Sequence, residues 1–182
     1  MKKVEHGKTF DRNAANPPAF EIFHNTVTEG YPKHWHTAIE IIMPTRGEYE
    51  VVVGKDSYNL KEGDIIMINS GVVHGMRFVS QGERIVMLVE PGCVENQEEM
   101  ETIFLRLPAI YFKKEDEEDP FYLFLRSQIL ELVREYDNEG AVMTHRICTG
   151  LKELFSEFGR KGFSDANAQN TFGTDRKSTR LN

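Results

Sequence analysis

Short apolar stretches alternate with polar turns through the first half of the chain, at a spacing of about ten residues. Within several of them apolar and polar residues alternate, which indicates half-buried β-strands because successive strand side chains point to opposite faces. Many short strands separated by polar turns are typical of a sandwich or a small barrel. The predicted strands cover residues 20–27, 35–43, 48–53, 57–60, 65–68 and 84–89.

Turn-forming residues separate these strands. Residues 30–33 (Gly-Tyr-Pro-Lys) are predicted to form a loop, and residues 44–47 (Pro-Thr-Arg-Gly) are predicted to end the second strand, since proline and glycine commonly interrupt regular structure. Residues 54–56 (Gly-Lys-Asp) indicate a hairpin between the third and fourth strands. Residues 61–64 (Lys-Glu-Gly-Asp) predict a further turn, after which an apolar run is suited to a buried strand.

Beyond Pro91 and Gly92 the apolar period changes from two residues to 3.6, which indicates α-helices. Three apolar stripes follow, and each is predicted to pack on the core or on a partner subunit rather than to hold a cofactor. The stripes are Met100, Ile103, Phe104 and Leu107; then Phe121, Leu125, Ile129, Leu132, Val133 and Tyr136; then Ile147, Leu151, Leu154, Phe155 and Phe158.

The composition is that of a folded domain with an acidic surface. The 182 residues suit one domain or a domain with an appendage, and 40% hydrophobic residues are enough to build a packed core. The formal net charge of −7 repels phosphate backbones, so this polypeptide by itself is not expected to contact DNA.

Three features predict a cytoplasmic protein. No stretch approaches the ~20 apolar residues of a membrane span, so no membrane contact is expected. The amino terminus lacks the apolar core of a signal peptide. Cys93 and Cys148 lie far apart in the sequence, and we predict two reduced thiols rather than a metal-binding or redox pair.

Three histidines and one glutamate are the candidate site residues. His34, His36 and Glu40 are separated by even numbers of residues and would share one face of a strand, while His74 comes from a later part of the chain. If they converge inside a small barrel, they can hold a divalent metal or hydrogen-bond a polar ligand, and both alternatives stay open. Because His36 and Glu40 would lie roughly 13 Å apart on a straight strand, convergence needs a bend near residues 37–39.

Two aromatic residues near this set receive different predictions. Tyr49 alternates with polar neighbours together with Val51 and Val53, so it is predicted to face the barrel interior and to donate a hydrogen bond in the pocket. Trp35 has the opposite parity to the histidines, so it is predicted to lie outside the barrel or under a helix.

The motif that contains these residues resembles the cupin superfamily. That family's first motif is His-x-His, three or four residues, Glu, six residues, Gly, and His34, His36, Glu40 and Gly47 match it. Its second motif has Gly, five residues, Pro-x-Gly, two residues, His, three residues, Asn. Gly63, Gly71 and His74 match, whereas Asn69 and Phe78 stand in the places of the family's Pro and final Asn. The resemblance implies that His34, His36, Glu40 and His74 occupy the metal-binding positions of metal-dependent cupins.

The amino-acid sequence of residues 34–78 is similar to that of the amino-terminal sensor barrel of AraC/XylS-type transcription regulators. The shared features are a hydrophobic strand after His-x-His, a Gly-Lys-x-x-Tyr hairpin, a Gly-Asp entry into an apolar strand, and an exit histidine. The resemblance covers roughly residues 17–165. It implies a cupin-like β-barrel (a double-stranded β-helix of the jelly-roll type) followed by two or three α-helices that carry a dimer contact.

The same resemblance implies an organisation for the whole chain. We expect an amino-terminal arm over residues 1–18, an effector-binding barrel over 19–92, a helical dimerisation segment over 93–161 and the start of an interdomain linker over 162–174. Residues 175–182 equal the translation of a reading frame of a common sequencing adapter, so we interpret them as read-through.

The implied function is that of an effector-binding and dimerisation domain, without catalytic residues and without a required cofactor. Its partners would be a small-molecule effector such as a sugar, bound by His34, His36, Glu40, His74 and Tyr49, and a second copy of the chain. DNA would be bound only through a carboxy-terminal helix-turn-helix domain that this chain lacks. The alternative is a stand-alone cupin metalloenzyme, of the sugar isomerase or dioxygenase type, with one divalent metal in the barrel.

Overall fold

Two antiparallel β-sheets face each other over the first part of the described chain. A computed structural model describes residues 19–26, 30–93, 108–114, 118–138, 140 and 142–161. These residues form nine β-strands, a short 3₁₀ helix at Pro91–Cys93 and two α-helices. The strands are β1 (Phe20–Asn25), β2 (Tyr31–His34), β3 (Ile39–Arg46), β4 (Tyr49–Val53), β5 (Asp56–Leu60), β6 (Ile65–Ile68), β7 (His74–Phe78), β8 (Glu83–Val89) and β9 (Ala109–Phe112), and the helices are α1 (Pro120–Asp137) and α2 (Met143–Lys161).

Strands that follow one another in the sequence often lie in different sheets. The five-stranded sheet has the order β1-β8-β3-β6-β9, and the four-stranded sheet has the order β2-β7-β4-β5. All pairings in both sheets are antiparallel. This arrangement is that of a jelly-roll barrel. It confirms the predicted fold class, a mainly β barrel with helices after it.

The alternation of side chains divides the apolar residues of the five-stranded sheet between two cores. On β3, Ile39, Ile41 and Met43 belong to the core that the helices cover. Ile42 belongs instead to the core inside the barrel, where it packs with Tyr49 and other residues of the four-stranded sheet. Glu40 has the same parity as Ile42, so it points into the barrel.

The two helices cover the outer face of the five-stranded sheet. Helix α1 begins after Asp119, whose carboxylate accepts a hydrogen bond from the Phe121 backbone N–H at 2.8 Å, and Pro120 occupies its first turn. The Tyr122 hydroxyl donates to the Gly63 carbonyl at 2.8 Å and thereby ties α1 to the β5–β6 turn. The buried helix residues agree with the second and third predicted stripes and include Phe121, Leu125, Ile129, Leu132, Ile147, Leu151, Leu154 and Phe155.

The loop prediction before β3 was wrong, and the strand ends at Arg46, later than the predicted break at Pro44. Residues 31–33 were predicted to be a loop, but they form most of β2. Residues 44–46 were predicted to end the strand, yet β3 runs through Pro44 to Arg46, with an irregular register against β8 at this point. The irregularity accommodates a residue without a backbone N–H, and the Pro44 carbonyl still accepts from the Gly63 N–H at 2.8 Å.

Strand β9 lies inside the range that was predicted to be helical. Its residues 109–112 pair with β6 and complete the edge of the five-stranded sheet. Periodicity missed it because a four-residue apolar run looks the same in a buried strand and in a helix. The first predicted stripe, from Met100 to Leu107, lies outside the described residues, as do the arm (1–18), the linker (162–174), residues 175–182 and the side chain of Phe158.

The two cysteines form a closer pair than their sequence separation indicated. Cys93 ends the 3₁₀ helix, Cys148 lies on α2, and both pack against the core under the helices. Burial and, after it, the neighbouring Cys148 thiol raise the pKa of Cys93, so the two side chains lie near each other in the fold. Both are free cysteines.

No helix in the described part of the chain is long and apolar enough to cross a membrane.

Candidate metal and ligand site

The four predicted site residues come together where the chain passes from one sheet to the other. His34 ends β2 in the four-stranded sheet, and Glu40 lies near the start of β3 in the five-stranded sheet. His36 lies in the short connection between them, and His74 begins β7, paired with His34. One potential ligand atom from each of the four lies within 4.8 Å of those of the others.

The geometry corrects the reason given for this convergence. His34, His36 and Glu40 were expected to share one face of a single strand, but no strand contains all three. The connection over residues 35–38 turns the chain between the sheets, which supplies the bend that convergence required. Strand spacing alone would have kept His36 and Glu40 roughly 13 Å apart, whereas Nε2 of His36 lies 2.9 Å from Oε2 of Glu40.

Each histidine is held by a backbone carbonyl two residues away. Nδ1 of His34 lies 2.8 Å from the Pro32 oxygen, Nδ1 of His36 lies 2.9 Å from the Ala38 oxygen, and Nδ1 of His74 lies 2.8 Å from the Val72 oxygen. A carbonyl only accepts hydrogen bonds, so each Nδ1 carries the proton and donates it. In the neutral imidazoles, Nε2 is therefore the nitrogen with the free lone pair.

Glu40 lies between two of these Nε2 atoms. Its Oε2 is 2.9 Å from Nε2 of His36 and 2.9 Å from Nε2 of His74, and all three side chains are buried. Burial alone raises the pKa of Glu40, but the hydrogen bonds from the two histidines and their charges outweigh it and lower the pKa to about 2. Glu40 is thus ionised at neutral pH and only accepts hydrogen bonds.

A carboxylate between two Nε2 lone pairs requires a positive species between them. Either a hydrogen atom lies between each Nε2 and Oε2, or a metal ion takes its place. Imidazole nitrogen and carboxylate oxygen are ligands of zinc and other first-row metals, and carbonyl-anchored Nδ1–H groups are the usual means of orienting such ligands. The four residues therefore fit a divalent metal ion.

His34 is the exposed member of the set and lies on the side open to solvent. Its ring centroid is 4.5 Å from that of His74 and 5.6 Å from that of His36. Partial burial lowers the pKa of His34, although the Pro32 carbonyl acts in the opposite direction. A neutral imidazole is the form that binds a metal or accepts a hydrogen bond from a ligand.

Tyr49, the fifth predicted site residue, is fully buried inside the barrel but stands apart from the four. It lies four residues along β4 from Val53, which pairs with His74, so it belongs to the other end of the strand. The guanidinium of Arg84 lies over its ring, with Cζ 4.9 Å from the ring centroid. Within the described residues its hydroxyl has no hydrogen-bond partner.

Arg84 is the residue that sequence reasoning missed. It was assigned to a strand, but its charge inside the barrel was not predicted. Its side chain points to the same side of β8 as those of Val86 and Leu88. This side is opposite to that of Ile85 and Met87, which pack under the helices. An arginine at an inward position of an alternating strand is the signal that was available.

The residues that depart from the cupin motifs have local explanations. Asn69 stands where the family has proline, and its backbone N–H donates to the Pro108 carbonyl at 3.0 Å, a bond that proline lacks. Phe78, in place of the final asparagine, is partly exposed at the end of β7. Trp35 is 66% exposed, so it lies outside the barrel as predicted and not under a helix.

Comparison with known proteins identifies the domain. The family model described as "Cupin domain" matches residues 25–90, which span strands β2 to β8. The chain therefore contains a cupin domain, as its fold and its histidine–glutamate set indicate. No match was found among curated proteins.

Similarity to solved structures is found at low sequence identity. An apo ToxT variant from Vibrio cholerae is similar with a TM-score of 0.53 and 12% identity, and the match covers 80% of this chain and 58% of ToxT. A mutant of oxalate decarboxylase OxdC from Bacillus subtilis matches with a TM-score of 0.37 and 18% identity, over 40% of this chain and 21% of that chain. The conserved protein SPY1581 from Streptococcus pyogenes, of unknown function, matches with a TM-score of 0.36 and 18% identity, over 40% of this chain and 63% of that chain. The chain thus spans less than two thirds of each of these proteins.

Proposed function

We propose that this chain is the effector-binding and dimerisation part of an AraC-type transcription regulator. A small molecule would bind in the barrel near His34, His36, Glu40 and His74. The observation that carries the proposal is the extent of the similarity to the AraC-family protein ToxT, which covers 80% of this chain. The cupin match ends at residue 90, so that similarity reaches well beyond the barrel.

The helices that follow the barrel support this proposal over a barrel acting alone. Helices α1 and α2 pack on the outer face of the five-stranded sheet, opposite the face that carries Glu40. A ligand that changes the position of β3 would therefore act on the sheet under the helices. Binding shifts a conformational equilibrium only if the ligand has different affinities for the two states.

The proposal includes a homodimer formed through the helical segment. Leu123 and Leu130 lie seven residues apart on α1, both are exposed, and they share one face of the helix. Sedimentation of the full chain should give a dimer, and Leu123→Glu with Leu130→Glu should shift it to the monomer. Contact with DNA would belong to a helix-turn-helix domain outside this chain.

We also propose that a divalent metal is held by the four residues. The support is the chemistry of the donor set, because backbone carbonyls hold Nδ1 of His36 and His74 while Nε2 of both points at the Glu40 carboxylate. A bound ion would act as a Lewis acid toward an oxygen of the ligand. His34, on the open side, would be the metal ligand nearest to a bound effector, while His36, Glu40 and His74 would hold the ion from the buried side.

Titration calorimetry of the full chain against neutral and acidic sugars tests the sensor proposal. We expect saturable heat from at least one compound and a weaker response from His34→Ala, which removes the exposed imidazole. His145→Ala, at an exposed position on α2, is the control and should bind like the wild type. Absence of heat from every compound, with and without added zinc, would contradict the proposal.

A stand-alone cupin metalloenzyme is the second candidate, and the metal-binding geometry favours it. It differs from the sensor in one measurable respect: turnover of a bound sugar or dioxygen by the metal-loaded chain. We assign no catalytic residue, since each of the four side chains is accounted for as a ligand. Turnover that depends on both His36 and His74 would replace the sensor proposal with the enzyme.

A further inference from the structure

The connection over residues 35–38 makes a contact outside the histidine–glutamate set. Thr37 lies between His36, a site residue, and Ala38, whose carbonyl holds Nδ1 of His36. The Thr37 hydroxyl donates to the Glu90 carboxylate, at 3.0 Å from Oε2 and 3.2 Å from Oε1. The contact therefore joins the segment that holds the His36 ring to the residue that follows β8.

The same connection is also held from its other side. The backbone carbonyl of His36 accepts a hydrogen bond from the Gly71 N–H at 2.8 Å, in the loop before β7. The ring of His36 is held at Nδ1 by Ala38 and at Nε2 by Glu40. Because the residues on both sides of Thr37 hold this imidazole, the position of the ring and that of the Thr37 hydroxyl depend on each other.

Glu90 lies at the point where the chain leaves the barrel toward the helices. Its backbone N–H donates to the Ala19 carbonyl at 2.9 Å, and its own carbonyl accepts from the Cys93 N–H at 2.9 Å, which closes the 3₁₀ helix. The Cys93 thiol donates to the same Ala19 carbonyl at 3.2 Å. The backbone of Glu90 is therefore fixed to the 3₁₀ helix by hydrogen bonds.

The 3₁₀ helix in turn contacts α2. Cys93, at its end, packs against the core under the helices, and so does Cys148 on α2. Ile147, the neighbour of Cys148, is fully buried in that core. Close-packed interiors transmit displacements, so a shift of the 3₁₀ helix would act on α2. A continuous set of contacts thus runs from His36 to the second helix.

We propose that Thr37 and Glu90 are positioning residues that couple the histidine–glutamate site to α2. An ion or ligand that fixes His36 would favour the Thr37 hydrogen bond to Glu90 and would hold the 3₁₀ helix against α2. The ion must bind more tightly when this contact is formed, since only a difference in affinity shifts the balance. The inference rests on the proposed function, because it names the route by which the site acts on the helical segment.

Amide hydrogen exchange of the full chain, with and without saturating zinc, tests the coupling. In the wild type, zinc should slow exchange of the Cys93 amide at least threefold, because this amide opens only when the 3₁₀ helix opens. Thr37→Val has nearly the same shape but no hydroxyl, and Glu90→Leu removes the carboxylate. Both should still bind zinc, and in both the slowing at Cys93 should be lost. Thr37→Ser keeps the hydroxyl and should retain the slowing.

A matched control removes a similar hydrogen bond elsewhere. The Ser57 hydroxyl donates to the Glu50 carboxylate at 2.7 Å, between β4 and β5. Ser57→Ala should leave the effect of zinc on Cys93 intact. If the Thr37 contact only stabilised the fold, Thr37→Val would speed exchange by the same factor with and without zinc, and the ratio would equal that of the wild type.

Three results would overturn the coupling. They are equal exchange of the Cys93 amide in the wild type with and without zinc, an unchanged ratio in zinc-saturated Thr37→Val and Glu90→Leu, and loss of the effect in Ser57→Ala as well. Zinc uptake without slowing at Cys93 would overturn this inference and leave the metal proposal standing. Absence of zinc uptake by the wild type would overturn the metal proposal together with this inference.

Discussion

Oε2 of Glu40 lies 2.9 Å from Nε2 of His74, although 34 residues separate them in the sequence. Glu40 belongs to the five-stranded sheet and His74 to the four-stranded sheet, so their contact joins the two halves of the barrel. Because the Val72 carbonyl holds Nδ1 of His74, the direction of Nε2 is fixed before any ligand binds. The site is preorganised by the fold, and its chemistry depends on what fills the space between these two atoms.

Metal binding should depend on the buried donors. The apo chain should take up one equivalent of zinc, and Glu40→Gln or His74→Ala should weaken binding by about a hundredfold, or about 2.7 kcal/mol. Glutamine keeps the shape but loses the anionic charge, and alanine removes the imidazole. Metal analysis after dialysis and calorimetry with zinc provide the measurement, with His145→Ala as the control. Equal zinc affinity in all four proteins would contradict the assignment.

Acid should destabilise the apo chain through Glu40. Its pKa is lowered from 4.5 to about 2 in the folded state, so its contribution is fully present above pH 4.5 and is lost as the pH falls from 4.5 through about 2. A shift of this size corresponds to about 3 kcal/mol of stability. Urea denaturation between pH 7 and pH 2 measures it. In Glu40→Gln the loss over this interval should be smaller by a similar amount, and an identical loss in both proteins would refute the linkage.

The hydrogen bond from Tyr122 to the Gly63 carbonyl should contribute measurably to stability. Tyr122→Phe removes only the hydroxyl and leaves a buried carbonyl without its donor, which costs about 1–3 kcal/mol. Urea denaturation measures the change. Tyr136→Phe, the same substitution on a half-buried residue of the same helix, should cost less than about 0.5 kcal/mol. A similar cost at both positions would show that the contact does not tie α1 to the barrel.

The thiol of Cys93 should react slowly with alkylating reagents. Burial and the neighbouring Cys148 thiol raise the pKa of Cys93 to about 11, and only the thiolate is nucleophilic. The alkylation rate of its peptide, followed by mass spectrometry, should therefore continue to rise up to about pH 11. Cys148→Ser should lower the pKa of Cys93 and speed its reaction at pH 8. A rate that levels off near pH 8.5 in the wild type would contradict this.

The helices could be predicted because their apolar residues repeat at helical spacing in the sequence, and the same residues are buried in the fold. Positions such as Leu125 and Ile129, or Ile147 and Leu151, repeat at helical spacing and are buried as expected. Residues 31–33 and Pro44 did not carry such a signal, since glycine and proline mark turns on average but tolerate strand edges and irregular registers. The pairing of β9 with β6 depends on residues more than forty positions away, which local pattern does not encode.

The site residues also differ in whether the sequence or only the structure reveals them. His34, His36, Glu40 and His74 could be named from motif spacing, and the structure brings all four together. Tyr49 was expected among them, but its place four residues along β4 from Val53 puts it with Arg84 instead. The burial of Arg84 was not predicted. A single charged residue in an apolar strand can face solvent or the interior, and only the structure shows which face of β8 is buried.

The sequence by itself determined the alternation that makes strands, the stripes that make helices, and the donor atoms available to a metal or ligand. Only the tertiary structure decided which of these donors meet. Strand order in a jelly roll is nonlocal, so the neighbours of Glu40 and of Arg84 come from strands that are distant in the chain. The turn over residues 35–38 shows the physical reason. Because it carries the chain from one sheet to the other, His36 and Glu40 contact each other instead of lying far apart along one strand.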